Sequence, residues 1–158
     1  ASDRYYPFSS VELFLSSENT LMINAPLVCD DTLQTNDIAR IYPDGSFTIL
    51  GRKDNVINSG GIKVQAEEIE RLLQSSIPVP FVITSVPDRR LGQAVTLLIE
   101  GQMEISALGT KLESVLASYY RPKYIYTVNH IPQTGNGKIN RKECRVLAES
   151  LQLLGRQE

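Results

Sequence analysis

The chain has 158 residues, of which 42% are hydrophobic and 22% are charged, and this composition is near the average for globular proteins. Its net charge of −2 creates no overall field that would attract nucleic acid or a membrane surface. The sequence contains no run of 18 apolar residues, no signal peptide and no internal repeat, so we expect a cytoplasmic protein with neither kind of partner.

The first third of the sequence predicts a β-rich section. Apolar runs at 11–15 and 20–23 predict a hairpin, with a polar turn between them. A second hairpin is predicted at 38–42 and 46–50, because a Pro-Asp-Gly-Ser step separates two further apolar runs.

A glycine-containing break follows at 51–64. Asp54 and Asn55 favour a turn, and Val56 begins a strand. The Ser59-Gly60-Gly61 step interrupts that strand before a second short one at 62–64.

The remainder predicts a small sheet with helices, which makes the expected fold class α+β. Strands are predicted at 80–86, 94–100 and 124–128, and helices at 66–75, 105–119 and 140–153. Asn140 is the predicted N-cap of the last helix. Three acidic residues of the first helix are predicted to form a solvated face: Glu67, Glu68 and Glu70.

Near the C-terminus, a Pro-Gln-Thr step and two glycines predict a tight exposed turn that presents the ammonium group of Lys138. A lysine on such a loop is a mobile point charge suited to a phosphate or carboxylate. A P-loop is excluded, because its first Gly and its Ser or Thr are replaced here by Pro132 and Ile139.

This loop also resembles the last core motif of the adenylate-forming enzymes, which include acyl-CoA synthetases, luciferases and peptide-synthetase adenylation domains. That motif reads Pro-x-Thr-x-x-Gly-Lys-x-x-Arg. The residues in register with it are Pro132, Thr134, Gly137, Lys138 and Arg141.

Three more segments resemble motifs of the same family. The block from Gly51 to Glu70 is similar to the hinge motif and its Glu-Ile-Glu helix, and the segment 86–93 to a Pro-Asp-x-x-x-Gly-Glu loop. The segment 35–39 is similar to Thr-Gly-Asp-(Leu/Ile)-(Ala/Gly), with Asn36 in place of Gly. Because Asn tolerates a left-handed backbone, we expect the family's turn to survive at this position.

The resemblance implies roles for specific residues. Lys138 would be catalytic, stabilising charge on the α-phosphate of ATP. Asp37 would accept hydrogen bonds from the ribose hydroxyls, Arg52 would also bind ATP, and Asp54 would be the hinge. Small residues would leave room for the pantetheine arm of CoA: Ser59, Gly60 and Gly61.

The resemblance further implies that residues 1–51 are the end of a large N-terminal adenylation domain, and that 52–158 form the hinge and a C-terminal lid. The partner would be the missing N-terminal domain, and the chain alone would be inactive. The intact enzyme would use ATP, CoA and a small carboxylic acid, with Mg²⁺, to form an acyl-adenylate and then an acyl-CoA.

The block 37–70 favours the o-succinylbenzoate-CoA ligases of menaquinone biosynthesis within this family. Two alternatives stay open: the lid of a peptide-synthetase adenylation domain, and a non-catalytic module that binds a nucleotide or a partner surface. A further open choice concerns the segment 121–145, where six basic residues face one acid. This charge fits an anion such as ATP or CoA, or equally a solvated helix end.

The remaining reactive side chains suggest no chemistry. His130 has no Cys, Asp or Glu at ligand spacing, so no metal site is expected and a surface position is predicted. Cys29 and Cys144 show no pairing pattern and are predicted to be buried or half-buried free thiols.

Overall fold

The computed structural model describes residues 4–103 and 105–155 and divides into two compact units, Ala1–Asn55 and Val56–Glu158. Within the described residues, no helix combines the length and the apolar character needed to cross a bilayer. The α+β fold class predicted from the sequence is confirmed.

The first unit is a four-stranded antiparallel sheet in which each strand pairs with the next one along the chain. Its strands are β1 (Glu12–Leu15), β2 (Thr20–Asn24), β3 (Leu33–Ile41) and β4 (Phe47–Arg52). A single 3₁₀ turn, Lys53–Asn55, follows β4 and ends the unit. The Pro-Asp-Gly turn joins β3 to β4 as predicted, with Gly45 at φ 80°.

Strand β3 begins five residues earlier than predicted, so the expected left-handed turn at Asn36 is wrong. Asn19 is the one non-glycine residue with positive φ in the described part of the chain. The reason is pairing on both sides of β3. The Thr35 hydroxyl donates to the Leu21 carbonyl of β2 at 2.9 Å, and Asp37 lies opposite Arg52 of β4. This pairing overrides the local preference of Asn.

The second unit is a five-stranded sheet covered by helices on both faces. Its strands are β5 (Val56–Ser59), β6 (Ile62–Gln65), β7 (Phe81–Asp88), β8 (Gly92–Glu100) and β9 (Tyr124–Val128). Its helices are α1 (Ala66–Leu73), α2 (Ile105–Val115) and α3 (Arg141–Leu154), and a 3₁₀ turn lies at Ser118–Tyr120. Strand β8 is central: it pairs with β7 and β5 antiparallel and with β9 in parallel.

Successive side chains of β8 point to opposite faces of the sheet, and this divides the hydrophobic core into two clusters. Leu97 and Ile99 pack with residues of α1 and α2 on one face, whereas Leu98 packs with α3 on the other. Because both faces are covered, β7 and β8 read as nearly continuous apolar runs. The sheet therefore fixes the loops at its ends relative to one another.

The histidine and the two cysteines lie in three different environments. His130 lies at the surface as predicted, with 89% of its side chain exposed. Cys144 is a buried free thiol, as expected, and burial raises its pKa to about 11. The prediction for Cys29 is wrong: it is exposed, because it lies in the turn that connects β2 to β3.

Candidate functional site

The segment 131–140, called the lysine loop below, closes as a small hairpin between β9 and α3. Gln133 bridges to Ile139, and the Thr134 N–H donates to the carbonyl of Lys138 at 2.7 Å. Gly137 has φ 78°, and its N–H donates to the Thr134 carbonyl at 2.9 Å. This positive φ closes the turn and explains why glycine suits the position.

Lys138 leaves this hairpin as an exposed side chain. Across residues 4–103 and 105–155, its ammonium group has no hydrogen-bond or ion-pair partner. The backbone of the lysine is thus held firmly while its charge stays available to a ligand, which is the arrangement the sequence predicted.

The base of the lysine loop is anchored at both ends. Ile131 is buried, and its N–H donates to the Glu100 carboxylate at 2.8 Å. At the other end, the Asn140 N–H donates to the Pro132 carbonyl at 2.9 Å. The Asn140 side chain accepts a hydrogen bond from the Glu143 N–H, which confirms the predicted N-cap.

Arg141, the first residue of α3, forms a bidentate ion pair with Glu70 of α1. Its two Nη atoms lie 3.0 Å and 2.7 Å from the Glu70 oxygens, and it also donates to the Ile83 carbonyl at 3.3 Å. Glu70 additionally accepts the Ile83 N–H at 2.9 Å. Burial alone would lower the pKa of Arg141, but the hydrogen bonds and charge of Glu70 outweigh it and raise that pKa.

The glutamates of α1 therefore do not form the solvated face that was predicted. Glu70 holds Arg141, Glu67 lies 3.9 Å from the same guanidinium, and Glu68 accepts a hydrogen bond from the Tyr120 hydroxyl at 2.8 Å. Burial, together with this hydrogen bond, raises the pKa of Tyr120 to about 12. The partners lie 52 and 71 residues away in the chain, so no local pattern could reveal them.

The segment 59–62, called the glycine turn below, joins β5 to β6. Gly60 and Gly61 have φ of 60° and 84°, which is the geometry of a tight two-residue hairpin turn. The Gly60 N–H donates to the Leu91 carbonyl at 2.8 Å. A Cβ at Gly60 would lie 3.2 Å from the Leu91 side chain, whereas one at Gly61 would meet nothing within 4 Å.

Asp88 organises the turn between β7 and β8, which contacts the glycine turn through Leu91. Its carboxylate accepts the backbone N–H groups of Arg90 and Leu91, both at 3.0 Å, and pairs with the Lys123 ammonium group. These bonds, that of Lys123 foremost, hold the pKa of Asp88 well below its usual range. Gln93, which stands where the family motif has Glu, accepts the N–H of Asn58 through its amide oxygen.

In the first unit, the structure brings together the two predicted ATP-binding residues and the predicted hinge residue. The Arg52 guanidinium lies 3.5 Å from a carboxylate oxygen of Asp37 and 3.5 Å from one of Asp54. Arg52 and Asp54 are largely exposed and Asp37 is about one-third exposed, so these pairs contribute little stability, on the order of 0–1 kcal/mol each. Their arrangement leaves the carboxylates accessible to a ligand.

Most of the basic residues in the segment 121–145 already have partners within the second unit. Arg121 donates to backbone carbonyls at the end of α2, and Arg145 pairs with Glu149. Lys123 and Arg141 have the carboxylate partners described above. In the part of the chain that the structure describes, Lys138 and Lys142 have no such partner. Available positive charge is thus confined to a few points rather than spread over a patch.

Comparisons with known proteins identify relatives of the whole arrangement. No family model matches the sequence. The chain is 38% identical over 126 residues to Triostin synthetase I of Streptomyces triostinicus, covering 77% of this chain and 24% of that protein. It is 33% identical over 113 residues to the 2-succinylbenzoate–CoA ligase of Lactococcus lactis, covering 71% and 25%.

A solved structure agrees with these matches. The acyl-CoA synthetase (AMP-forming)/AMP-acid ligase II-like protein of Dyadobacter fermentans is 30% identical, with a TM-score of 0.56. The match covers 91% of this chain and 43% of that one. The chain thus spans about a quarter of the length of the curated relatives it matches.

Proposed function

Because this chain belongs to the adenylate-forming superfamily, whose C-terminal part it matches, we propose that it is the C-terminal part of an ATP-dependent acid–CoA ligase. The observation that carries the proposal is Lys138, an exposed ammonium group without a partner among the described residues, on a hairpin with fixed backbone. Such a group can serve an anionic reaction centre without first giving up another partner.

In the first half-reaction, a substrate carboxylate oxygen attacks the α-phosphorus of ATP. The bond from that phosphorus to pyrophosphate breaks, and an acyl-adenylate remains. Charge grows on the α-phosphate oxygens, where Lys138 would stabilise the transition state. Removal of one such preorganised group typically costs about 2.7–4 kcal/mol.

In the second half-reaction, the thiolate of CoA attacks the acyl carbon and AMP leaves. We propose that the second unit turns about Asp54 between the two steps, which withdraws Lys138 and presents the glycine turn. Gly60 and Gly61 would leave room for the pantetheine arm, since they add no side chain. A few hinge residues can absorb such a backbone change.

Mg²⁺ would enter as part of the ATP complex. In the described residues, no group of three His, Cys, Asp or Glu side chains is placed to hold a metal ion. The nucleotide contacts proposed for this chain are those of Lys138, Arg52 and the ribose-facing Asp37.

For the acid, we propose 2-succinylbenzoate as the first candidate, which would place the enzyme in menaquinone biosynthesis. The support is the similarity of the block 37–70 and the relative from Lactococcus lactis. Other acid–CoA ligases match at comparable identity, so the test must include several acids.

The test measures pyrophosphate release and thioester formation by the intact protein and by the 158-residue chain. The acids would be 2-succinylbenzoate and 4-chlorobenzoate, each with ATP and CoA. We expect acid-dependent release and acyl-CoA from the intact protein with at least one acid, and neither product from the chain alone. Acid-dependent pyrophosphate release by the chain alone would contradict its assignment as a part of the enzyme.

The same measurements, repeated with amino acids and a carrier protein that bears pantetheine, separate the alternatives. Transfer of an adenylated amino acid to a carrier pantetheine, without transfer to CoA, would favour a peptide-synthetase adenylation domain. Nucleotide binding without activation of any acid by the intact protein would favour a non-catalytic module.

A further inference from the structure

The ion pair between Glu70 and Arg141 joins the two segments on which the proposed chemistry depends. Arg141 follows Lys138 by three residues and begins α3. Glu70 belongs to α1, which begins directly after β6 and so is continuous with the glycine turn. One side-chain contact thus links the end of the lysine loop to α1, the helix that follows the glycine turn and β6.

The geometry of this pair is that of a specific anchor. Two parallel N–H···O bonds of 3.0 Å and 2.7 Å fix the guanidinium in plane and direction. The side chains are only 26% and 18% exposed. Both also bond to the backbone of Ile83 in β7, one through its N–H and one through its carbonyl. The anchor therefore reaches the central sheet as well as α1.

Two contacts hold the chain close to Lys138 on the leaving side of the hairpin: the Asn140 N–H bond to the Pro132 carbonyl and this anchor. The entering end is held by the buried Ile131 and by Glu100, but Lys138 lies on the leaving side of the hairpin. Three residues span at most about 11 Å even when extended. A shift of Arg141 would therefore be passed directly to the lysine backbone.

We propose that Glu70 and Arg141 are positioning residues that set Lys138 for the adenylation step. The proposal rests on the proposed ligase function. It assigns Arg141 no contact with substrate.

Three changes in the intact enzyme test the anchor. Arg141→Lys keeps the charge but loses the planar fork, and Glu70→Gln keeps the shape but loses the charge. The exchange of both, Glu70→Arg with Arg141→Glu, restores the ion pair in reverse but not the two bonds to the Ile83 backbone. The matched control is Arg145→Ala, which breaks an exposed pair with Glu149 on the same helix.

We expect Arg141→Lys and Glu70→Gln to lower kcat of pyrophosphate exchange by about 10- to 100-fold, since a displacement of about 1 Å can cost that much. Thioester formation from supplied acyl-adenylate should change less than about twofold, because the glycine turn keeps its own bond to Leu91. The double exchange should recover part of the lost adenylation, and Arg145→Ala should change neither step. Equal losses in both steps, or none in either, would overturn the proposal.

A second measurement on the 158-residue chain does not depend on activity. Hydrogen exchange of the Thr134 and Asn140 amides reports the lysine loop, and that of β7 and β8 amides reports the fold. We expect Arg141→Lys to speed exchange in the loop severalfold and to leave the sheet unchanged. Unchanged loop exchange would refute the anchor even if the enzyme proved inactive. Failure of the wild-type enzyme to adenylate any acid would instead refute the proposed function.

Discussion

The lysine loop and the glycine turn are both tight, glycine-containing turns of the second unit, yet they differ in what they expose. The lysine loop is braced by its own backbone bonds and by Arg141, and it ends in an exposed charge. The glycine turn is held by a backbone bond to Leu91 and displays no side chain at its two central positions.

The space around the glycines sharpens this difference. A Cβ on Gly137 of the lysine loop would meet nothing within 4 Å, so glycine is needed there only for its positive φ. A Cβ on Gly60 would press on Leu91 at 3.2 Å. Gly137 is therefore required by its backbone conformation alone, whereas Gly60 is constrained both by its positive φ and by its packing against Leu91.

The largest expected effect comes from Lys138→Ala in the intact enzyme. Acyl-adenylate formation should fall about 10²- to 10³-fold, because a preorganised charge at the reacting phosphate is lost. Thioester formation from supplied acyl-adenylate should persist, since the glycine turn is untouched. Pyrophosphate exchange and thioester assays measure the two steps separately.

Lys142→Ala is the control for that substitution, because Lys142 is also exposed and unpartnered among the described residues. It should change neither step. Equal losses in both steps for Lys138→Ala would mean that the lysine has a structural role rather than a catalytic one.

A substitution at Asp54 tests whether the two turns act at different times. Asp54 lies in the 3₁₀ turn that ends the first unit. Proline fixes φ near −65°, a value that 3₁₀ geometry already uses, but it disfavours the helical conformation of the preceding Lys53. Asp54→Pro should therefore lose backbone freedom at some cost in the stability of this turn. We expect adenylation to persist and CoA transfer to fall about 10²-fold or more, as measured by the same pair of assays.

Asp54→Ala provides the comparison, because it removes the pair with Arg52 but leaves the backbone free. It should behave nearly like the wild type in both steps. Unchanged CoA transfer in Asp54→Pro would refute the hinge.

Features that are set by residues close together in the sequence were predicted correctly, and features that are set by distant residues were not. Periodicity located the helices and strands of the second unit, and the glycines with Thr134 indicated the hairpin around Lys138. Asn140 was recognisable as a cap because its partner lies three residues away. These features depend on near neighbours in the chain.

The features that the sequence did not reveal depend on distant neighbours. The glutamates of α1 read as a solvated face because their partners Arg141 and Tyr120 come from remote segments. Asn36 read as a turn residue, but it lies within β3, at an irregularity in the pairing with β2, and residues on either side of it are paired. The family motif includes Arg141, but it does not show which side chain Arg141 binds.

Paired glycine substitutions provide a smaller and more direct test of the two turns. Gly137→Ala and Gly60→Ala should each destabilise the chain by about 1–2 kcal/mol, since both positions have positive φ. Gly60→Ala should cost more, because its Cβ also displaces Leu91. Urea unfolding of the 158-residue chain measures the difference. Equal losses of stability would show that Leu91 yields without cost.

The smallest effect is expected at Asp88, which supports the glycine turn from beneath through Leu91. Lys123 and two backbone N–H groups hold the pKa of the Asp88 carboxyl below its usual value. Its stabilising contribution is therefore complete above the unfolded pKa of about 3.9 and is lost as the pH falls through the lower folded value.

Asp88→Asn should accordingly be less stable than the wild type at pH 7, and the difference should shrink as the pH falls below about 4. Urea unfolding at pH 7 and pH 3 measures this, with Glu113→Gln at an exposed position of α2 as a control for general acid effects. In the intact enzyme, Asp88→Asn should lower CoA transfer by a small factor and leave adenylation unchanged. A loss of adenylation with CoA transfer intact would reverse the roles proposed for the two turns.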